Sequence, residues 1–298
     1  MPRRIIPRAI LPHLDVVWTG SGKMRAVMGI DAAWTLTNPS GVALAVENRN
    51  SWRVIAAATS YQRFHALADG GLVAEERPTG SSPEACALLA SASVLCGHPV
   101  DLVAIDMPLA RSPIVGRRNS DNAVSKAYGG RNCGTHSPNA DRPGRISDDL
   151  RESFDLLGYP LRTDYPLRTH VVPPFGVIEV YPHPALVELA GASERLPYKY
   201  SNRGKYWPFV DQSERRTLLY RQWNEIVAKL ENEIAGVAAA LPRLELDASG
   251  WKMKAYEDAL DAIICAWVAV CALEERATPF GDENSAIWIP RPRVSAGR

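Results

Sequence analysis

Short apolar runs that close on a carboxylate recur along this chain, interleaved with helical periodicities. Ala26-Val27-Met28-Gly29-Ile30-Asp31 reads as a buried strand ending in an acid. A polar turn with Asn38-Pro39-Ser40-Gly41 leads to a second strand, Gly41 to Val46. Asn48-Arg49-Asn50 then turns the chain into a third, Trp52 to Ala57. Turns this short imply an antiparallel meander. Pro83 to Ala90 predicts a helix with proline in its first turn. Asp101 to Asp106 predicts a fourth strand, again closing on an acid. Strand, helix, strand implies a crossover and a parallel pairing with the first strand. Asp31 and Asp106 would then lie near one another at strand ends, where α/β folds build their sites.

The second half is patterned differently. Pro108 to Arg145 has little periodicity and is rich in arginine, with Gly129-Gly130, Pro138 and Pro143 as breakers. A long irregular stretch inside a domain is usually functional or disordered. Ser147 to Leu157 predicts a helix, and Val177 to Tyr181 a fifth strand that Tyr181-Pro182-His183-Pro184 ends. That strand carries Glu179, and a buried acid needs a partner, either at a site or in an arginine of the preceding loop. Asp211 and Glu214 fit a capping box. Leu219, Trp223, Ile226, Leu230, Ile234 and Val237 follow at helical spacing, as core or a subunit contact, up to Pro242. Ile263 to Leu273 is an apolar run that reads as a buried helix, and Ala286 to Pro290 a final strand.

Asp258 and Asp261 stand at the head of that apolar helix, three residues apart and so on one face, with Glu257 beside them. A helix N-terminus accounts for them through the macrodipole. A metal site fed by Asp31 and Asp106 accounts for them too, and Asp261 would then be the deeper of the pair. His183, in its rigid turn, reads as a general acid/base or as a hydrogen-bonded structural group. Between Leu196 and Val210, Lys199, Tyr200, Arg203, Lys205 and Tyr206 interleave bases with aromatics. Such residues neutralise phosphates and stack on nucleobases, or form a solvated loop.

The composition narrows this picture only slightly. At 298 residues, 46% hydrophobic and 22% charged, the chain is an ordinary globular one. A net charge of +1 excludes a bulk polycation, so any nucleic-acid surface must be local. Cys86, Cys96, Cys133, Cys265 and Cys271 are never spaced C-x-x-C, which points to a reducing, cytoplasmic compartment and away from a zinc knuckle. No apolar run reaches membrane-span length. Residues 1–24 read as a disordered tail or a misassigned start, with Met24 and Met28 just ahead of and within the first strand. Residues 25–290 read as one domain and 291–298 as a tail.

Gly29-Ile30-Asp31, Ile105-Asp106-Met107-Pro108-Leu109, Glu179-Val180-Tyr181-Pro182-His183-Pro184, Tyr198-Lys199-Tyr200, Asp258-Ala259-Leu260-Asp261-Ala262 and Trp288-Ile289-Pro290 occur in that order. With these pieces the chain resembles domain-of-unknown-function family 429, described as predicted nucleases. The Asp-Ala-Leu-Asp-Ala piece is also similar to the last helix of Holliday-junction resolvases. The resemblance implies an α/β, ribonuclease H-like mixed sheet: a three-strand antiparallel meander plus parallel strands, flanked by helices, with a helical and loop insertion. It further implies a metal-dependent nuclease using Mg²⁺ or Mn²⁺ at Asp31, Asp106, Glu179, Asp258 and Asp261. In that scheme Asp31 bridges two ions, Asp106 or Glu179 holds one, and Asp258 and Asp261 the other. The substrate is nucleic acid or a nucleotide, no membrane is involved, and the oligomeric state is open. A catalytically silent nucleic-acid or nucleotide-binding protein is the alternative. A phosphotransferase of the actin and sugar-kinase type is a weaker third, because Asp31 is followed by Ala32-Ala33-Trp34-Thr35 rather than by a glycine-rich phosphate loop.

Overall fold

The computed structural model describes residues 24–49, 51–71, 76–163 and 175–291. The tail expected before Met24, and residues 292–298, lie outside the described residues.

Within them the chain runs through β1 (Ala26–Asp31), β2 (Gly41–Asn48), β3 (Ser51–Ala58), α1 (Tyr61–Ala68), α2 (Ala85–Cys96) and β4 (Leu102–Ile105). It continues through α3 (Asn119–Tyr128), α4 (Arg145–Leu156), β5 (Gly176–Val180), α5 (Pro182–Ala190), α6 (Arg203–Tyr206) and α7 (Gln212–Glu231). It closes with α8 (Val237–Ala240), α9 (Gly250–Leu273), β6 (Ala277–Gly281) and β7 (Ala286–Pro290). The strands form a seven-stranded mixed sheet in the order β3-β2-β1-β4-β5-β7-β6. β1, β2 and β3 form the expected antiparallel meander, while β4 joins β1, β5 joins β4 and β7 joins β5 in parallel.

Period two divides each strand between two cores. Val27 of β1 and Leu102 and Ala104 of β4 face α9 and α7. Met28, Ile30, Val103 and Ile105 face α1, α2 and α4 on the other side. Helix α9 is buried from Ala255 to Ala272 and apolar all round from Ala262 onward, as a helix sandwiched inside a domain must be.

Two glycines bring α9 onto the sheet. A Cβ on Gly29 would stand 2.0 Å from the Ala262 carbonyl oxygen and 2.4 Å from the Ala266 nitrogen. A Cβ on Gly41 would stand 2.0 Å from the Asp258 carbonyl oxygen. Backbone therefore packs on backbone at the level of the acidic residues.

Several elements differ from the sequence expectation. Helix α9 begins at Gly250, so Asp258 and Asp261 lie more than two turns inside it, and a helix N-terminus no longer explains them. The stretch Pro108 to Arg145 holds α3, whose polar sequence masks it and whose start is fixed by Asp121, which accepts from the Arg118 backbone N–H at 2.9 Å and from its guanidinium. Tyr181-Pro182-His183-Pro184 starts α5 immediately, with proline in the first turn. Helix α1, with Ser60 accepting from the Arg63 backbone N–H, and the edge strand β6 were not expected. Among the described residues, no helix is long and apolar enough to cross a membrane.

Candidate functional site

In the parallel pairing of β1 with β4, Ile30 lies opposite Ile105, and the Asp106 backbone N–H donates to the Ile30 carbonyl at 2.8 Å. The next residues, Asp31 and Asp106, are therefore neighbours at adjoining strand ends. Both follow the alternation of Val27, Gly29 and of Leu102, Ala104, so both point to the α9 face. Helix α9 meets them with one side: Trp251, Lys254, Asp258, Asp261 and Cys265 recur three or four residues apart. Along that side burial deepens, from a half-buried Trp251 and a Lys254 side chain 48% exposed to Asp258 and Asp261, both closed off from solvent.

The acids on α9 are already clamped. Asp261 accepts from the Tyr198 hydroxyl at 2.8 Å through one oxygen and from Lys199 Nζ through the other. Asp258 pairs with Lys254. Glu257 accepts from the Tyr200 backbone N–H and from Lys254 at 3.0 Å, with Lys199 at 3.7 Å. Among the described residues, no hydrogen-bond donor reaches the carboxylate of Asp31 or Asp106.

Electrostatics follow from this crowding. Burial, and then Asp258, push the Asp31 carboxyl up to about 7. Burial, and then Asp31, push Asp106 well above the usual carboxylate range. Asp258 and Asp261 rise to about 6 through burial, with Lys254 and Lys199 pulling them back. Burial works against the Lys199 ammonium, but Asp261, Glu257 and Asp31 outweigh it and keep it charged. Burial and then Asp261 hold Tyr198 as the neutral phenol that donates to Asp261.

Glu179 lines a smaller recess beside Asp106 and Lys199 and has a partner of its own. It follows Val177 on the opposite face of the sheet and is held by Arg118, which also binds Asp121 and the Leu109 carbonyl. The Leu109 backbone N–H donates to the same Glu179 at 2.8 Å. The arginine of the preceding loop is thus its partner, the second of the two roles its burial allowed.

His183 is buried and wedged edge-on between the Tyr181 and Tyr198 rings, at 5.4 and 5.3 Å. Burial, and then Lys199, hold it neutral, so it brings no cation to a phosphate. Together with Asp106 and Lys199 it lines a recess of about 200 Å³.

A larger cleft of about 1020 Å³ has Asp31, Asp106, Asp258, Lys199 and Lys254 in its wall. Trp34, Arg77, Arg142, His136 and Trp251 also line it. Of the expected substrate-binding residues only Lys199 does; Tyr200, Arg203, Lys205 and Tyr206 do not. Arg203 instead lies over the Tyr200 ring at 4.0 Å, Lys205 points outward, and Tyr206 packs on Trp207. Trp251 and Lys254 were legible as the upstream continuation of the Asp258 side of α9. Trp34, Arg77 and Arg142 come from three separate loops, and no local signal joins them.

In kind, the acids suit a hard divalent cation, since all the donors are oxygens and the charge is in surplus. In arrangement they offer less than the expected cage. Among the described residues, no three His, Cys, Asp or Glu side chains converge as they would around a metal ion. The clamps on Asp258 and Asp261 leave Asp31 and Asp106 as the pair that fits one, and Mg²⁺ commonly takes only one or two carboxylates beside substrate oxygens and water.

No curated protein and no solved structure matches the chain. Residues 29–285 match the family described as Protein of unknown function (DUF429), and the chain belongs to that family.

Proposed function

We propose that the protein is a metal-dependent phosphodiester hydrolase, a nuclease, acting at Asp31 and Asp106. The observation that carries this reading is the pair itself: two carboxylates without hydrogen-bond donors, side by side at the ends of parallel strands, in the wall of a cleft that also presents cations. A meander followed by parallel strands, crossed by a buried helix bearing acids, also supports a ribonuclease H-like assignment.

In this mechanism Asp31 and Asp106 hold one Mg²⁺ or Mn²⁺, which supplies Lewis-acid polarisation of a phosphate oxygen when bound. Lys199 and Lys254 stand as fixed positive charges beside that pair and offset the negative charge that builds on the phosphoryl group. Asp261, itself held by the Tyr198 hydroxyl, holds the Lys199 ammonium in place. Arg77 and Arg142 meet flanking phosphates at the cleft wall.

Asp31→Asn and Asp106→Asn test the reading. Each should abolish Mg²⁺- or Mn²⁺-dependent cleavage of an oligonucleotide panel and remove Mn²⁺ binding in calorimetry. Cleavage that survives both changes would place the chemistry elsewhere.

A catalytically silent nucleic-acid or nucleotide-binding protein is the second reading. It draws on the lysine clamps, which neutralise Asp258 and Asp261 without any metal. Saturable Mn²⁺ binding with a stoichiometry of one separates the hydrolase from it. The phosphotransferase reading has less support, because Gly29 and Gly41 serve the close approach of α9 rather than a phosphate loop.

A further inference from the structure

The cleft presents two indole rings, and each is paired with a cation. Trp34, from the loop after β1, has the Arg142 guanidinium 5.7 Å from its ring centroid. Trp251, in the first turn of α9, has Lys252 Nζ 5.8 Å from its centroid. Both rings are half-buried, so each is held by the protein and still reaches solvent. Both line the cavity that Asp31 and Asp106 line. With the cation over one face of each ring, a nucleotide has two points to bind, its base on the opposite face of the indole and its phosphate on the charge.

From these features we infer that the cleft takes unpaired nucleotides of a single-stranded nucleic acid, with bases stacked on Trp34 and Trp251. The inference rests on the proposed hydrolase only for what happens next to Asp31 and Asp106. Three features of the cleft favour a single strand. Stacking needs the face of a base, which a duplex covers with its neighbours. At about 1020 Å³ the cavity exceeds what one mononucleotide needs and lies at the upper end of small-ligand sites. Helix α9 also carries Trp251, Lys254 and Asp258 in turn along one side, so a strand lying along it meets a stacking ring, then a cation, then a buried acid.

The test is fluorescence anisotropy with a labelled single-stranded oligonucleotide in EDTA, where no turnover occurs. It is compared with an abasic oligomer of equal charge, the matching duplex and a mononucleotide. Binding should weaken about tenfold or more for the abasic oligomer, and again for Trp34→Ala and for Trp251→Ala, as loss of a base–aromatic stack does. Trp34→Phe and Trp251→Phe should restore most of the affinity, which a merely structural role for the rings would not predict. Where an alanine variant fails to fold, the abasic comparison on the wild type decides. Equal binding of the abasic oligomer, or of the duplex, overturns the inference. A mononucleotide that binds as tightly as the oligomer overturns the polymeric ligand. If binding depends on the bases but added Mg²⁺ or Mn²⁺ produces no cleavage, the stacking site stands and the hydrolase reading falls.

Discussion

Arg118 grips both oxygens of Glu179, with Nη1 at 2.5 Å from Oε2 and Nη2 at 2.8 Å from Oε1, in a spot nearly closed to solvent. The same guanidinium reaches Asp121 and the Leu109 carbonyl, so one buried cation ties β5 to α3 and to the loop after β4. An acid engaged in this way has a structural role.

Glu179→Ala should therefore destabilise the fold and spare the cleft. Removing one partner of a buried pair typically costs about 3–5 kcal/mol, and the remaining Asp121 contact places the expected loss at the low end. Urea unfolding measures it. Mn²⁺ affinity at Asp31 and Asp106 should stay unchanged in calorimetry on the folded variant. Intact stability with lost Mn²⁺ binding would return Glu179 to the ligand set.

Gly29→Ala tests the contact that places Asp31 under α9. The added methyl would meet backbone atoms of Ala262 and Ala266, which no side-chain rotation can move aside. Helix α9 would have to lift from β1, and overpacking of this kind costs about 1–3 kcal/mol, occasionally more. Because Gly29 stands two residues before Asp31 on β1, Mn²⁺ binding at Asp31 should weaken along with the melting temperature. An unchanged melting temperature would mean that the helix approaches less closely than the backbone contacts indicate.

The neighbouring acids were legible in the chain because β1, β4 and α9 are regular. Gly29-Ile30-Asp31 and Ile105-Asp106 each end a strand, and the three-residue spacing of Asp258 and Asp261 gives a shared side. Glu179 was harder to place. Strands of a parallel sheet are apolar on both faces, so Val177-Ile178-Glu179-Val180 does not say which side meets α9. Helix α9 begins with a mixed segment, Gly250 to Tyr256, that hides its first turns and made the acids look terminal. Helix α3 is polar throughout its first turn and depends on the distant Glu179 to anchor Arg118. The rim residues Trp34, Arg77 and Arg142 meet only in the folded chain.

Lys199 and Lys254 should separate when each is changed to methionine. Lys199 is mostly buried and binds Asp261, so Lys199→Met leaves that acid with the Tyr198 hydroxyl alone. A loss of about 3 kcal/mol or more is expected, as for a broken buried pair. Lys254 is half-exposed, so Lys254→Met should cost about 1 kcal/mol or less. Its effect should appear instead as slower cleavage and weaker oligonucleotide binding. Chemical denaturation of the two variants, followed by binding assays, checks the contrast. Equal stability losses would contradict the difference in burial.

The apo protein should lose stability as the pH rises, because of Asp31. In the folded chain its carboxyl is raised to about 7 by burial and by Asp258, whereas in the unfolded chain it titrates near about 4. Between those values the folded state holds a proton that the unfolded state has released. The stabilising contribution is therefore complete below about pH 4 and disappears as the pH passes about 7. Asp258 and Asp261, raised to about 6, add to the same trend. Linkage alone would make Asp31 worth at most about 4 kcal/mol, and solvent in the cleft reduces the expected loss to about 1–2 kcal/mol. Asp31→Asn, which carries no charge, should flatten that part of the profile and be more stable than the wild type at pH 8. Mn²⁺ should restore the wild type at pH 8 and leave the variant unaffected. Urea midpoints from pH 5 to 8, with and without Mn²⁺, measure all of this. A wild-type profile that rises with pH would mean that the nearby lysines outweigh burial and Asp258 at Asp31.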